Sequence, residues 1–177
     1  MGYTNYWDIE KKFKAKKAAT FDKAMLGLMK RVVTAYNKKH KAKLEYKLDD
    51  KHVELFGDGA TSETLNFVLT KDPKYGRLGI DSWLFCKTNR EPYDAVVKVF
   101  LNLLQYFGVI HRWAHDDNIV SKIYRDAAHF AEEVFTDDEF KRNKFHVRSK
   151  YGNLYRLSSW IFVERERYDD YPVAVVA

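Results

Sequence analysis

The chain has 177 residues, 46% of them apolar, 16% aromatic and 32% charged, with a formal net charge of +6. That length suits a single domain, residues 1–177, with a sizeable core, and the aromatic content excludes a disordered chain. A lone cysteine, Cys86, excludes an intrachain disulfide and a cysteine-rich zinc site and fits a reducing compartment. The polar N-terminus has no signal-like apolar segment. The most apolar stretch, Val96 to Phe107, is interrupted by Lys98, Asn102 and Gln105 and is too short to span a bilayer. The expectation is a cytoplasmic protein without a membrane partner.

Taken in chain order, Tyr3 to Ile9 reads as a short strand, rich in residues that favour strands. Its alternation puts Tyr3, Asn5 and Trp7 on one face and Thr4 and Tyr6 on the other. A lysine-rich linker follows. Thr20 is the expected N-cap of a helix running to about Lys39, with Phe21, Met25, Leu28, Met29, Val32, Val33 and Tyr36 on one stripe. Leu44, Tyr46 and Leu48 alternate with polar residues, as on a strand with one face buried, and Val53 and Leu55 do the same after Asp49-Asp50, as a hairpin would. Gly57-Asp58-Gly59 breaks the chain. Leu65 to Leu69 is a strand, and Leu78 to Cys86 a further one, more apolar and therefore central.

A helix is expected from Pro92 to Phe107, stopped by Gly108. Val109 to Trp113 reads as a strand. A third helix capped by Asp116 or Asp117 carries Ile119, Ile123, Ala127, Phe130 and Val134 inward. Thr136 begins a short turn, Phe145 to Tyr151 and Leu154 to Arg165 form a hairpin, and the tail Pro172 to Ala177 is a last strand. Without a regular β-α-β alternation, the fold class is α+β: a mostly antiparallel sheet packed against two or three amphipathic helices.

The most informative run is Phe85-Cys86-Lys87-Thr88-Asn89-Arg90-Glu91-Pro92-Tyr93-Asp94, which joins the central strand to the most apolar helix. A helix start has unpaired N–H groups and a positive dipole end, so with Lys87, Thr88 and Arg90 beside it the run suits a phosphate or carboxylate. The structural alternative is capping by Glu91 or Asn89, with Asp94 as a favourable acid in the first turn and Cys86 a small buried hydrophobe.

This run and the opening Met1-Gly2-Tyr3-Thr4-Asn5-Tyr6-Trp7 resemble a family of small uncharacterised proteins from tailed phages and bacterial genomes. Those proteins begin Met-Gly-Tyr-Thr-His-Tyr-Trp and carry Phe-Cys-Lys-Thr-Ala-Arg-Lys-Pro-Tyr-Asp. Their intervening His-Glu-Thr-Phe element is echoed by Ser62-Glu63-Thr64-Leu65, and Asp116-Asp117 takes the place of a Ser-Asp-Gly turn. The resemblance covers the first two-thirds of the chain. It departs at Asn5, Ser62 and Glu91, so both histidines of the pattern are missing here. It implies a phage-type origin and no particular activity; acid–base or metal chemistry resting on those histidines would be lost in this chain.

The expected ligand-binding residues are Tyr3, Thr4, Tyr6, Trp7, Glu63, Lys87, Thr88, Arg90, Tyr93 and Asp94. The cations and Thr88 would hold phosphate and the aromatic rings would stack a base. Each ring alone reads equally as core. Glu63 and Asp58, with Asp94, are a candidate acid–base or metal-binding set, though loop carboxylates are usually solvated. His111 and His115 have the spacing of a zinc-protease pair but lack its glutamate, and read as surface or cap residues. Cys86 as a nucleophile would need a nearby base. No catalytic residue, metal or cofactor is assigned.

The leading function is therefore a phage-type binding protein for a small anionic, nucleotide-like ligand, sequestering a host nucleotide immune signal; this step is an analogy. One alternative is an enzyme acting on a phosphorylated or nucleotide substrate. Another is a nucleic-acid or host-protein binder using two lysine clusters, Lys11 to Lys17 and Lys38 to Lys43, which also read as solvated helix ends. A homo-oligomer is compatible with the apolar tail Val173 to Val176.

Overall fold

A computed structural model describes residues 3–14, 20–57, 62–71, 78–116, 122–135, 147–148 and 154–155. The elements are β1 (Thr4–Ile9), α1 (Lys11–Lys14), α2 (Lys23–His40), β2 (Tyr46–Leu48), β3 (His52–Leu55), β4 (Leu65–Lys71), β5 (Leu78–Asp81), β6 (Phe85–Lys87), α3 (Asp94–Tyr106), β7 (Ile110–His115), α4 (Lys122–Val134), β8 (Val147–Arg148) and β9 (Leu154–Tyr155). The class is α+β, as expected.

One ladder runs in the order β2-β3-β4-β5 and a second in the order β6-β1-β7, with every neighbouring pair antiparallel. The stretch 78–87, expected as one strand, is broken at Ser82–Leu84, where Leu84 has a φ of +65°. β5 and β6 therefore lie at the edges of two separate sheets and not in one central strand as expected. Trp7 N donates to Leu84 O at 3.1 Å and Glu63 N to Lys87 O at 2.8 Å, which bonds the chain on either side of the break to its neighbours.

Alternation sorts the strands into two faces. Tyr3 just before β1, Asn5, Trp7 and Ile9 on β1, Cys86 on β6, Trp113 and His115 on β7, and Leu65, Phe67 and Leu69 on β4 point inward and are buried. Over them α3 packs between α2 and α4 and against β7. The other face carries Tyr6, Asp8, Phe85 and Lys87. Registers Tyr6↔Phe85 and Thr4↔Lys87 set these residues side by side.

Local corrections have local causes. The N-cap of α2 is Asp22, not Thr20: Asp22 Oδ1 accepts from Ala24 N at 2.7 Å and Met25 N at 3.3 Å, while Phe21 N donates to Asp50 O and keeps the chain extended up to that point. The lysine-rich linker opens with a helical turn because Phe13 is buried, its ring 6.3 Å from that of Phe21. Gly108, with φ +72°, ends α3 as expected. The pairing of β8 with β9 agrees with the expected late hairpin over those residues. Its remainder, the Thr136 turn, the Pro172 to Ala177 tail, Lys16, Lys17, Asp58, Asp117 and Ile119 lie outside the described residues.

Candidate functional site

The start of α3 does not offer free amides. Asp94 N donates to Glu91 O, Ala95 N to Pro92 O, Val96 N to Tyr93 O and Glu91 N to Thr88 O, so tight backbone turns consume them. Neither Asn89 nor Glu91 caps the helix; Tyr93 occupies the N-cap position without a side-chain cap bond. An anion here would be held by side chains and not by helix N–H groups.

The first turns of α3 instead support a buried polar cluster. Asp94 Oδ1 accepts from Thr88 Oγ1 at 2.5 Å and from Asn5 Nδ2 at 2.8 Å. Its Oδ2 accepts from Lys98 Nζ, one helical turn on, in an ion pair whose side chains are 1% and 0% exposed. Lys98 Nζ also lies 4.6 Å from the ring centroid of Tyr3. Tyr3 OH meets His115 Nδ1 at 3.0 Å, and His115 is the cross-strand neighbour of Asn5. Asn102 Nδ2 donates to Lys98 O at 3.0 Å. Asn5 Oδ1 is buried with no hydrogen-bond partner among the described residues, an arrangement that costs about 1–3 kcal/mol.

A second bonded group adjoins this one. The Glu63 carbonyl accepts from Tyr93 OH and from Cys86 Sγ, the latter at 3.2 Å. The Glu63 carboxylate accepts from Lys87 N at 3.0 Å and lies 3.7 Å from Lys87 Nζ. Burial pushes the Cys86 thiol up to about 12 and raises the Tyr93 phenol as well. Cys86 is therefore a protonated core residue at neutral pH, and Lys87 and Arg90 do not activate it as a nucleophile.

Between the two groups the chain makes a strained turn. Thr88 N and Asn89 N both donate to Tyr3 O, at 3.0 and 3.3 Å. Asn89 and Arg90 then take consecutive left-handed conformations, with φ +49° and +63°. The turn carries Arg90 back over Tyr3, its guanidinium carbon 5.6 Å from the ring centroid. The Tyr3 ring thus has two cations near it, the buried Lys98 and the exposed Arg90.

Of the sequence-predicted residues, Tyr3, Thr88 and Asp94 meet in the buried cluster and Arg90 covers its rim. Glu63, Lys87 and Tyr93 belong to the adjoining group. Thr4 is pinned by its backbone to Asp116, its N donating to Asp116 Oδ2 at 3.0 Å. Trp7 lies apart, with Nε1 donating to Ser82 Oγ at 2.9 Å and its ring 5.2 Å from that of Phe67. Tyr3, Trp7 and Tyr93 are buried and offer no ring to solvent, whereas Tyr6 is half-buried on the open sheet face. Glu63 and Asp94 sit in different bonded groups and do not form an acid–base pair. Among the described residues no group of three or more His, Cys, Asp or Glu side chains is placed to hold a metal ion.

His115 corrects the sequence reading: the strand runs through it, so alternation turns it inward. His111 is exposed and lies 3.3 Å from Glu10 Oε2. Lys98 and Asn102 were read only as interruptions of an apolar helix. The successive spacing of four through Asp94, Lys98 and Asn102 was the available signal, a polar stripe down one side of that helix.

No family model, curated protein or solved structure matches the chain.

Proposed function

We propose that the protein binds a small anionic, nucleotide-like ligand at the rim of this cluster and holds it without chemical change. The observation that carries the reading is the strained turn. Asparagine tolerates a left-handed backbone, but each such residue costs about 1–2 kcal/mol and arginine gains nothing locally from it. Strain of this kind persists where the surroundings over-determine it, and it concentrates at ligand clamps. Here the Thr88–Asp94 and Tyr3 bonds hold the turn, and its product is an exposed pair of cations, Lys87 and Arg90, beside the open sheet face. Tyr6 and Phe85, cross-strand neighbours on that face, supply rings against which a base can stack.

The phage-type resemblance suggests the biological setting, sequestration of a host nucleotide signal. The enzyme reading lacks a comparable observation, because the carboxylate of Asp94 is engaged by its own neighbours.

The test is calorimetric titration of the protein with mono-, di- and cyclic nucleotides, with the recovered ligand checked for cleavage. Lys87→Ala/Arg90→Ala should lower affinity at least tenfold, since a charge-assisted bond contributes about 1.5–3 kcal/mol, with the folded structure intact by circular dichroism. Equal affinity in the double variant refutes the site. A cleaved ligand refutes simple sequestration.

A further inference from the structure

The cationic rim contains a carboxylate that is fixed in place. Glu63 lies on the side of β6 that β1 leaves open and takes both backbone groups of Lys87. Its N donates to Lys87 O at 2.8 Å, and its Oε2 accepts from Lys87 N at 3.0 Å. Its carbonyl accepts from the buried Tyr93 hydroxyl and the buried Cys86 thiol. A loop glutamate ordinarily turns freely in solvent; this one is held at its N–H, its carbonyl and its carboxylate. Oε1, the remaining oxygen, stands 3.7 Å from Lys87 Nζ.

The electrostatic consequence falls on the ligand. Lys87 and Arg90 bring two exposed positive charges to the rim, and the buried Lys98 adds none because Asp94 matches it. Glu63 offsets one of the two. A phosphate oxygen held by Lys87 Nζ in a charge-assisted bond of about 2.8 Å comes within about 6.5 Å of Glu63 Oε1. At that distance each negative charge on the ligand loses about threefold in affinity through Glu63 in water, and more where solvent is displaced. The exposed Asp116, held across Thr4 from Lys87, adds to the loss. A phosphodiester has two non-bridging oxygens sharing one charge, one oxygen for each cation of the rim. A terminal phosphate brings a third oxygen and nearly a second charge. That second charge exceeds what the two cations and Glu63 together leave to balance it.

We infer that Glu63 is a specificity-determining residue, and that the rim selects phosphodiesters, cyclic nucleotides among them, over nucleotides that end in a terminal phosphate. The inference rests on the nucleotide reading of the rim and narrows its ligand class.

The experiment is calorimetric titration of the full chain at pH 8 with the 3′,5′-cyclic nucleotides and the 5′-monophosphates of adenosine, guanosine, cytidine and uridine, compared in pairs that share a base. The cyclic member of a pair should bind at least threefold more tightly. Glu63→Gln keeps an acceptor for Lys87 N, and its circular dichroism should match the parent. It should shift the ratio within a pair at least threefold toward the monophosphate. A merely structural role for Glu63 would move both affinities together and leave that ratio alone. Lys87→Ala/Arg90→Ala should weaken both members. Monophosphates that bind the parent as tightly as their cyclic partners, or a ratio unmoved by Glu63→Gln, overturn the inference and leave the nucleotide rim standing. Binding that ignores the loss of Lys87 and Arg90, or no binding of any pair, overturns the rim and the inference with it.

Discussion

Replacing Asp94 by Asn tests whether the buried cluster holds the strand-to-helix junction together. Asparagine keeps one oxygen to accept from Asn5 Nδ2 and Thr88 Oγ1, but it turns an amide toward Lys98 Nζ. The ammonium is then buried without its counter-charge, and no water reaches a side chain that is 0% exposed. Breaking one partner of such a pair costs about 3–5 kcal/mol. For a chain of this size that lowers Tm by roughly 6–20 °C. Lys98→Met leaves the opposite charge behind, and Asp94→Asn/Lys98→Met leaves neither. The double variant should therefore lose less stability than Asp94→Asn alone. Urea unfolding of the four proteins gives the cycle, with an expected coupling of about 2–3 kcal/mol. A loss below about 1 kcal/mol for Asp94→Asn, or simple additivity, would show that the pair is not the support described.

Three further outcomes follow from single features. Asp22→Ala removes the acceptor for Ala24 N and Met25 N and should cost about 1 kcal/mol in urea unfolding, with no change in ligand binding. Leu84→Gly should leave stability unchanged or raise it by up to about 1 kcal/mol, since glycine accepts φ +65° freely. The folded chain keeps the Cys86 proton to about 12, whereas an ordinary thiol releases it near 9.0. The unfolded state thus binds fewer protons above that lower value, and stability present below it is lost as pH rises toward 12, by about 1.4 kcal/mol per pH unit. Cys86→Ala should flatten that slope, and in the parent chain the thiol should resist alkylation at pH 8 until urea unfolds it.

The fold was legible wherever one face of an element is apolar. The stripe from Phe21 to Tyr36 and the alternation through Leu48, Val53 and Leu55 put elements where they lie, but Tyr46, expected on the buried face with Leu44 and Leu48, is 42% exposed. The break at Ser82–Leu84 was not legible. Nothing in Leu78 to Cys86 requires a left-handed leucine, and the cause is tertiary: Trp7 takes both Ser82 Oγ and Leu84 O as acceptors. The site was legible in part. The run Phe85 to Asp94 marked the right junction, but for a helix start with open amides, when backbone turns had already used them. Lys98 and His115 were missed because each was judged by its own element, as an interruption of a helix or the end of a strand. Only the pairing of β1 with β7 and the packing of α3 over them bring the two to Tyr3.

That convergence on Tyr3 bears on how the rim and the core are connected. The Tyr3 carbonyl accepts from Thr88 N and Asn89 N, its ring has Lys98 and Arg90 near it, and its hydroxyl meets His115. A group arriving at Arg90 therefore acts on a residue that also lies against Lys98 of the buried ion pair. An anion that draws the guanidinium away from the ring removes one of its two cations and leaves Lys98. Under the proposed function, Asp94→Asn should therefore change anion affinity through the seating of Tyr3, although Asp94 is itself buried. A variant that loses several kcal/mol of stability yet binds nucleotide as the parent does would separate the rim from the core and leave the strained turn supported by its backbone bonds alone.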